Sequence, residues 1–162
     1  MTSGGSSIPE VGRLLATLTA SKPAGRIAEA GTAFGAGALA IVAALGRDAT
    51  FVTVEADPAR FEAAREALAG SRAEIVAGLW RDVLPARGPF DLFFLDAGIQ
   101  DGGVELAISL LAPGGILLKD DLTPGRPIDD DPVRQALLRD SRLVSTEFLV
   151  SPEMAVIVAV RR

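Results

Sequence analysis

Three aspartates stand where they could share one positive charge. Asp96 follows the apolar run Phe90 to Leu95, and Asp120-Asp121 follow the run Ile116-Leu117-Leu118. Continuous apolar runs of this length read as central parallel strands covered on both faces, and such strands lie side by side in a doubly wound sheet, so the three acids can converge above it. Close carboxylates repel unless a cation or a shared proton lies between them. An oxygen-only set selects Mg²⁺, Ca²⁺ or Mn²⁺ rather than zinc. Asp120 and Asp121 also suit the capping of the turn that follows them. The chain has no histidine, cysteine or tyrosine, which removes the commonest general base, thiolate ligands and the phenol. Acid–base chemistry is left to carboxylates, water, the lysines Lys22 and Lys119, or the substrate.

A second group of residues suits a nucleoside. Glu29-Ala30-Gly31-Thr32-Ala33-Phe34-Gly35-Ala36-Gly37 follows the first strand-like run and opens an apolar helical stretch. Glycines there permit a tight turn and a close approach of ligand to backbone. Their spacing, Gly-x-x-x-Gly-x-Gly, differs from the Gly-x-Gly-x-x-Gly of pyrophosphate-binding folds. Glu29 is unfavourable beside a phosphate but suits a cationic amino group. Glu55 ends the next strand, where an acid can accept hydrogen bonds from both ribose hydroxyls; a solvated strand-end carboxylate is the other reading of it. A ligand with a ribose and a positive charge, and no phosphate, fits the set.

The elements that must position these groups alternate. Arg26–Ala30, Thr50–Glu55, Ala73–Ala77, Phe90–Leu95 and Ile116–Leu118 read as strands. Helical segments are expected over Ala38–Leu45, from Pro58 with Asp57 as its cap, over Val104–Leu111, and from Pro132 to about Asp140. Leu143–Leu149 and Met154–Val160 close the chain as a hairpin. The sum is an α/β fold, a doubly wound, Rossmann-like, seven-stranded and mostly parallel sheet with a C-terminal antiparallel hairpin and helices on both faces. Ligands bind such sheets beyond the C-terminal strand ends, where strand order reverses.

These residues resemble the class I S-adenosylmethionine (SAM)-dependent methyltransferases, in particular the small catechol and caffeoyl-CoA types of O-methyltransferase. The resemblance rests on Glu29 to Gly35, Val54-Glu55-Ala56-Asp57-Pro58, Phe90 to Ala97 and Leu111 to Asp121, with Pro9 to Leu15 similar to the helix that leads into the family's first strand. It implies one methyltransferase domain over 1–162, flexible over 1–8. The cofactor would be SAM, held by Glu29, Gly31, Thr32, Ala33, Phe34, Gly35, Glu55, Ala56, Gly78, Leu79, Trp80 and Asp96. Gly31 and Gly35 would line its methionine part, Glu55 its ribose and Ala56 its adenine. Gly78 to Trp80 would border the adenine ring, with ordinary packing the favoured reading of Trp80. Asp96, Asp120 and Asp121 would hold Mg²⁺ or another divalent cation, which positions an acceptor's hydroxyls. Asp96 and Lys119 are the candidate catalytic residues.

The sequence departs from that family in three places. Asp121 stands where asparagine is usual. Ile99 stands where a lysine, a candidate base, is common. The chain begins close to its first strand, whereas the family carries further N-terminal helices, so a more open acceptor pocket, or one completed by another subunit, is expected. Pro124 to Asp131 reads as a surface loop.

Composition bounds the rest. With 162 residues, 49% hydrophobic and 23% charged, the chain can bury one core. A net charge of −5 without a basic cluster argues against nucleic acid. The polar leader lacks a signal-peptide pattern, and no apolar run reaches membrane-spanning length. A cytoplasmic enzyme acting on a small-molecule acceptor is expected, with no membrane partner, and the partly apolar edge of the hairpin is compatible with a homodimer. The alternative is a SAM-binding regulatory subunit without catalysis. A nicotinamide-dependent oxidoreductase is disfavoured by the glycine spacing. A base-modifying amino-methyltransferase is disfavoured by Asp96-Ala97-Gly98-Ile99 in place of an Asn/Asp-Pro-Pro-aromatic motif.

Overall fold

A computed structural model describes residues 7–99 and 102–162. The flexibility expected of 1–8 falls mostly on residues outside that range. Strands β1 (Arg26–Ala30), β2 (Thr50–Glu55), β3 (Ala73–Ala77), β4 (Phe90–Leu95), β5 (Leu111–Leu122), β6 (Leu143–Ser151) and β7 (Met154–Arg161) form one sheet. Their order is β3-β2-β1-β4-β5-β7-β6. Pairings are parallel from β3 to β5, and β7 runs antiparallel to both β5 and β6. Strand order therefore reverses between β1 and β4, which pair directly through Ala30 and Leu95.

Helices α1 (Pro9–Ala20) and α2 (Ala36–Ala44) cover one face of the sheet. Val11 and Leu15, four apart on α1, meet Ile41 of α2 and the inward residues Ile27, Leu92, Phe94 and Leu118. The other face carries α4 (Trp80–Val83), α5 (Gly103–Ser109) and α6 (Pro132–Arg139). There Phe93, Leu95 and Leu117 pack with Trp80, Ile108 and Leu137. Phe93 and Phe94 point to opposite faces and both are fully buried, each contributing about 1.5–3 kcal/mol of hydrophobic stabilisation.

Local chemistry sets the boundaries. Helix α3 (Pro58–Ala67) is opened by Asp57, whose Oδ1 accepts from the amides of Ala59 and Arg60 at 2.9 Å, with Pro58 in the first turn, where its missing N–H costs nothing. Asp131 caps α6 in the same way. The sequence pattern starts β5 at Ile116, whereas the strand runs from Leu111. Gly114 has φ 73°, and a Cβ on Gly115 would lie 2.6 Å from the Phe90 carbonyl. The Pro-Gly-Gly stretch is thus a bulge inside the strand rather than a stop before it. Helix α4 is too short for apolar periodicity to reveal it.

Among the described residues, no helix is long and apolar enough to cross a membrane.

Candidate active site

A cavity of about 420 Å³ opens at the C-terminal ends of β1, β2 and β4, beside the strand-order reversal. Gly31, Ala33, Glu55, Ala56, Gly78, Leu79, Trp80, Asp96 and Asp121 line it, together with Val54, Arg60, Arg81, Ala97 and Gly98. Most of the nucleoside group proposed from sequence is thereby brought together. Glu29, Thr32, Phe34, Gly35, Lys119 and Asp120 do not line it.

Two glycines make the close approach possible. Gly31 has φ 91°, and a Cβ there would sit 2.4 Å from the Asp96 carbonyl oxygen. Its N–H donates to the Val54 carbonyl, while the Asp96 N–H donates to the Ala30 carbonyl. The turn after β1 is thus sewn to the ends of both neighbouring strands. Gly35 has φ 88° and directs the chain into α2. Phe34, between them, is 52% exposed.

Glu55 is held at the end of β2 by two backbone amides. Ala33 N–H donates to Oε2 at 2.8 Å and Asp57 N–H to Oε1 at 2.9 Å. The carboxylate is therefore fixed and directed at the cavity, with a lone pair on each oxygen still available. Glu29 has a different environment. It is buried beneath the loop, where its Oε2 accepts from Thr53 Oγ1 at 2.6 Å, and Thr53 Oγ1 lies 2.5 Å from Thr32 Oγ1. Burial pushes its carboxyl up to about 8, against the Thr53 hydrogen bond and helped by the charges of Asp120 and Glu55. Trp80 both packs and lines. It is 5% exposed and meets Phe93 edge-on at 5.8 Å, while contributing to the cavity wall.

Beside the cavity stand the three aspartates, of which Asp96 and Asp121 line it. Asp96, Asp120 and Asp121 each offer one carboxylate oxygen, all within 4.8 Å of one another. Asp120 is 1% exposed, and its Oδ1 has no hydrogen-bond partner among the described residues. Asp121 takes a left-handed φ of 57°, which lifts its exposed side chain out of the strand's alternation. Burial raises the carboxyls of both Asp96 and Asp120. The charge of Asp121 adds to this, and the Lys119 ammonium opposes it. The arrangement can hold a small hard cation. Lys119 Nζ donates to the Asp120 carbonyl at 2.7 Å.

Sequence reasoning missed one part of this neighbourhood. Arg134 of α6 is completely buried, donating to Glu147 of β6, to Asp131 Oδ2 at 2.6 Å and to the Thr123 carbonyl at 2.7 Å. It ties both ends of the loop that follows Asp121. An arginine on the apolar side of the Leu137 helix face was the available signal.

The family of known sequences described as "Methyltransferase domain" matches residues 28–122, which run from β1 to the end of β5 and contain Glu29, Glu55 and all three aspartates. The chain belongs to the class I SAM-dependent O-methyltransferases. It is 33% identical over 122 residues to a catechol O-methyltransferase of Mycobacterium tuberculosis, a match covering 70% of this chain and 56% of that protein. Among solved structures it superposes on the Bacillus cereus O-methyltransferase in complex with S-adenosylhomocysteine (SAH), with a TM-score of 0.84 and 26% identity, over 98% of this chain and 84% of that one. It also superposes on TomG of Streptomyces achromogenes, an O-methyltransferase involved in tomaymycin synthesis and solved with SAM, with a TM-score of 0.78 and 26% identity, over 96% of this chain and 81% of that one. The O-methyltransferase fold thus extends over nearly the whole chain.

Proposed function

We propose that this O-methyltransferase moves the methyl group of SAM to a hydroxyl of a small molecule with neighbouring hydroxyls, and that a divalent cation held by Asp96, Asp120 and Asp121 assists. The observation that carries the reading is the meeting of three carboxylates, two of which line a nucleoside-sized cavity. The Glu55 carboxylate, aimed into that cavity by the Ala33 and Asp57 amides, receives the ribose hydroxyls. Gly31 and Gly35 shape the turn beside the methionine part, Ala56 lies against the adenine, and Gly78 to Trp80 border it. Asp96 stands near the sulfonium, across from Gly31.

The donor set fits such a cation. Hard divalent ions take carboxylate oxygens at about 2.0–2.6 Å, so ligands sharing one ion lie at most about 5 Å apart, as these do. Asp120 Oδ1 is a buried acceptor without a donor among the described residues. When bound, the cation lowers the pKa of an acceptor hydroxyl and orients it.

The residues themselves align the reaction. The acceptor oxygen forms its bond to the methyl carbon as the carbon–sulfur bond breaks, and that electron pair goes to sulfur, giving SAH. The hydroxyl proton leaves to solvent at the open mouth. Ile99 supplies no base, and Lys119 is engaged with the Asp120 carbonyl, so alignment and acceptor ionisation carry the rate. The acidic surface suits a small acceptor rather than nucleic acid.

The test is methyl transfer from labelled SAM to a panel of vicinal diols and matched mono-ols, with Mg²⁺ and with EDTA. Transfer that prefers diols and stops with EDTA supports the proposal. SAH binding without turnover of any acceptor would point instead to a SAM-binding subunit.

A further inference from the structure

The ammonium of Lys119 does not line the cofactor cavity, yet it is no ordinary surface charge. Lys119 is 8% exposed. On β5 it lies opposite Leu95 of β4 and Ile157 of β7, both completely buried. Its stem therefore runs between apolar side chains, and its ammonium turns to the end of its own strand. There Nζ donates to the Asp120 carbonyl at 2.7 Å and stands 4.0 Å from Asp120 Oδ1, the carboxylate oxygen without a hydrogen-bond partner among the described residues. A buried ammonium is costly without an opposing charge, and a carbonyl dipole is not a full one. The opposing charge is the aspartate cluster. Packing holds the lysine there, so its charge is a constant feature of the site rather than a swinging surface group.

With all four groups ionised, three carboxylates and one ammonium leave a net charge of minus two, which a divalent cation cancels. We propose that Lys119 is a fixed counter-charge that sets how tightly Asp96, Asp120 and Asp121 hold a divalent cation, keeping the site weaker and exchangeable where three unopposed carboxylates would bind more tightly. The proposal rests on the cation reading above. It makes Lys119 a positioning residue acting through Asp120, not a base that touches the acceptor. A unit charge a few ångströms from a divalent ion is felt strongly at a partly buried site, so its removal is expected to change affinity on the order of tenfold or more.

The experiment is a titration of the full chain with Mn²⁺ alone, at one near-neutral pH, with free Mn²⁺ read by electron paramagnetic resonance. Lys119→Met keeps the apolar stem and deletes the charge, and Lys119→Gln keeps a hydrogen-bond donor for the Asp120 carbonyl. Both are expected to bind Mn²⁺ about tenfold or more tightly than wild type, and Asp121→Asn to bind it more weakly. The double variant Lys119→Met/Asp121→Asn restores the charge count and is expected to return within about threefold of wild type. A lysine that served packing alone would not give tighter binding, nor a return in the double variant. If wild type binds Mn²⁺ and Asp121→Asn weakens it while both Lys119 variants match wild type, the counter-charge role is overturned and the cation site stands. If neither wild type nor any variant binds Mn²⁺, the cation site falls, and this role with it.

Discussion

Replacing Glu55 by glutamine tests the nucleoside end of the site with almost no change of shape. Each carboxylate oxygen accepts one backbone amide, from Ala33 at 2.8 Å and from Asp57 at 2.9 Å. Glutamine has one such oxygen, so its NH₂ must face one of those N–H groups. An unsatisfied buried donor costs about 1–3 kcal/mol, which in a chain of 162 residues lowers Tm by roughly 3–10 °C. The ribose loses more than the fold does. Hydrogen bonds to a charged acceptor are worth about 1.5–3 kcal/mol, so the SAH dissociation constant should rise about 10- to 100-fold. Calorimetric titration with SAH well below the Tm of the variant separates the two effects. If Tm falls while SAH affinity stays within about threefold of wild type, Glu55 serves only the loop, and the ribose assignment is wrong.

Gly31→Ala would place a Cβ 2.4 Å from the Asp96 carbonyl oxygen at φ 91°; because the obstacle is backbone, which cannot swing aside, it should cost about 2–4 kcal/mol and abolish SAH binding, as read by thermal denaturation and titration. Arg134→Met would take the guanidinium from Glu147 and leave Asp131 only Arg126 at 3.5 Å as a charged partner, and should cost about 3 kcal/mol in urea denaturation. Burial raises the Asp131 carboxyl, but the Arg134 amide and guanidinium outweigh it and hold the pKa low. This stabilisation is complete above the unfolded pKa of about 3.9 and is lost as pH falls through the folded value. The gap between wild type and Arg134→Met should therefore narrow below about pH 4. Glu29, raised to about 8, binds its proton more tightly folded than unfolded, so wild-type stability should decline as pH rises from the unfolded pKa of about 4.3 towards the folded one. Glu29→Gln, which mimics the protonated acid, should remove that decline; an unchanged slope in urea denaturation between these limits would refute it.

The fold was legible because its strands are short, β-branched or continuously apolar, and because Asp57-Pro58 and Asp131-Pro132 announce their helices with a cap and a fixed φ. The convergence of Asp96 with Asp120 and Asp121 followed from strand adjacency alone. Which acids face the cavity was not legible. Glu29 and Glu55 both end or nearly end strands and lie on the same face of the sheet, since Glu29 pairs with Thr53, two residues before Glu55; Glu55, at the very end of its strand, reaches the cavity, whereas Glu29, set further back, stays beneath the loop on Thr53. The Arg134 clasp was hidden for another reason. It joins Thr123, Asp131 and Glu147, and no local pattern relates a helix to a strand beyond the next turn.

The most direct test is a crystal structure of the chain with SAH and Mn²⁺. The expected result has the ribose hydroxyls on Glu55, the adenine beside Ala56 and Trp80, and the sulfur near the Asp96 side chain. An anomalous Mn²⁺ peak should lie at coordination distance, about 2–2.5 Å, from oxygens of Asp96, Asp120 and Asp121. A nucleoside bound outside this cavity would contradict the SAM site, and a cation elsewhere would contradict the metal-assisted chemistry.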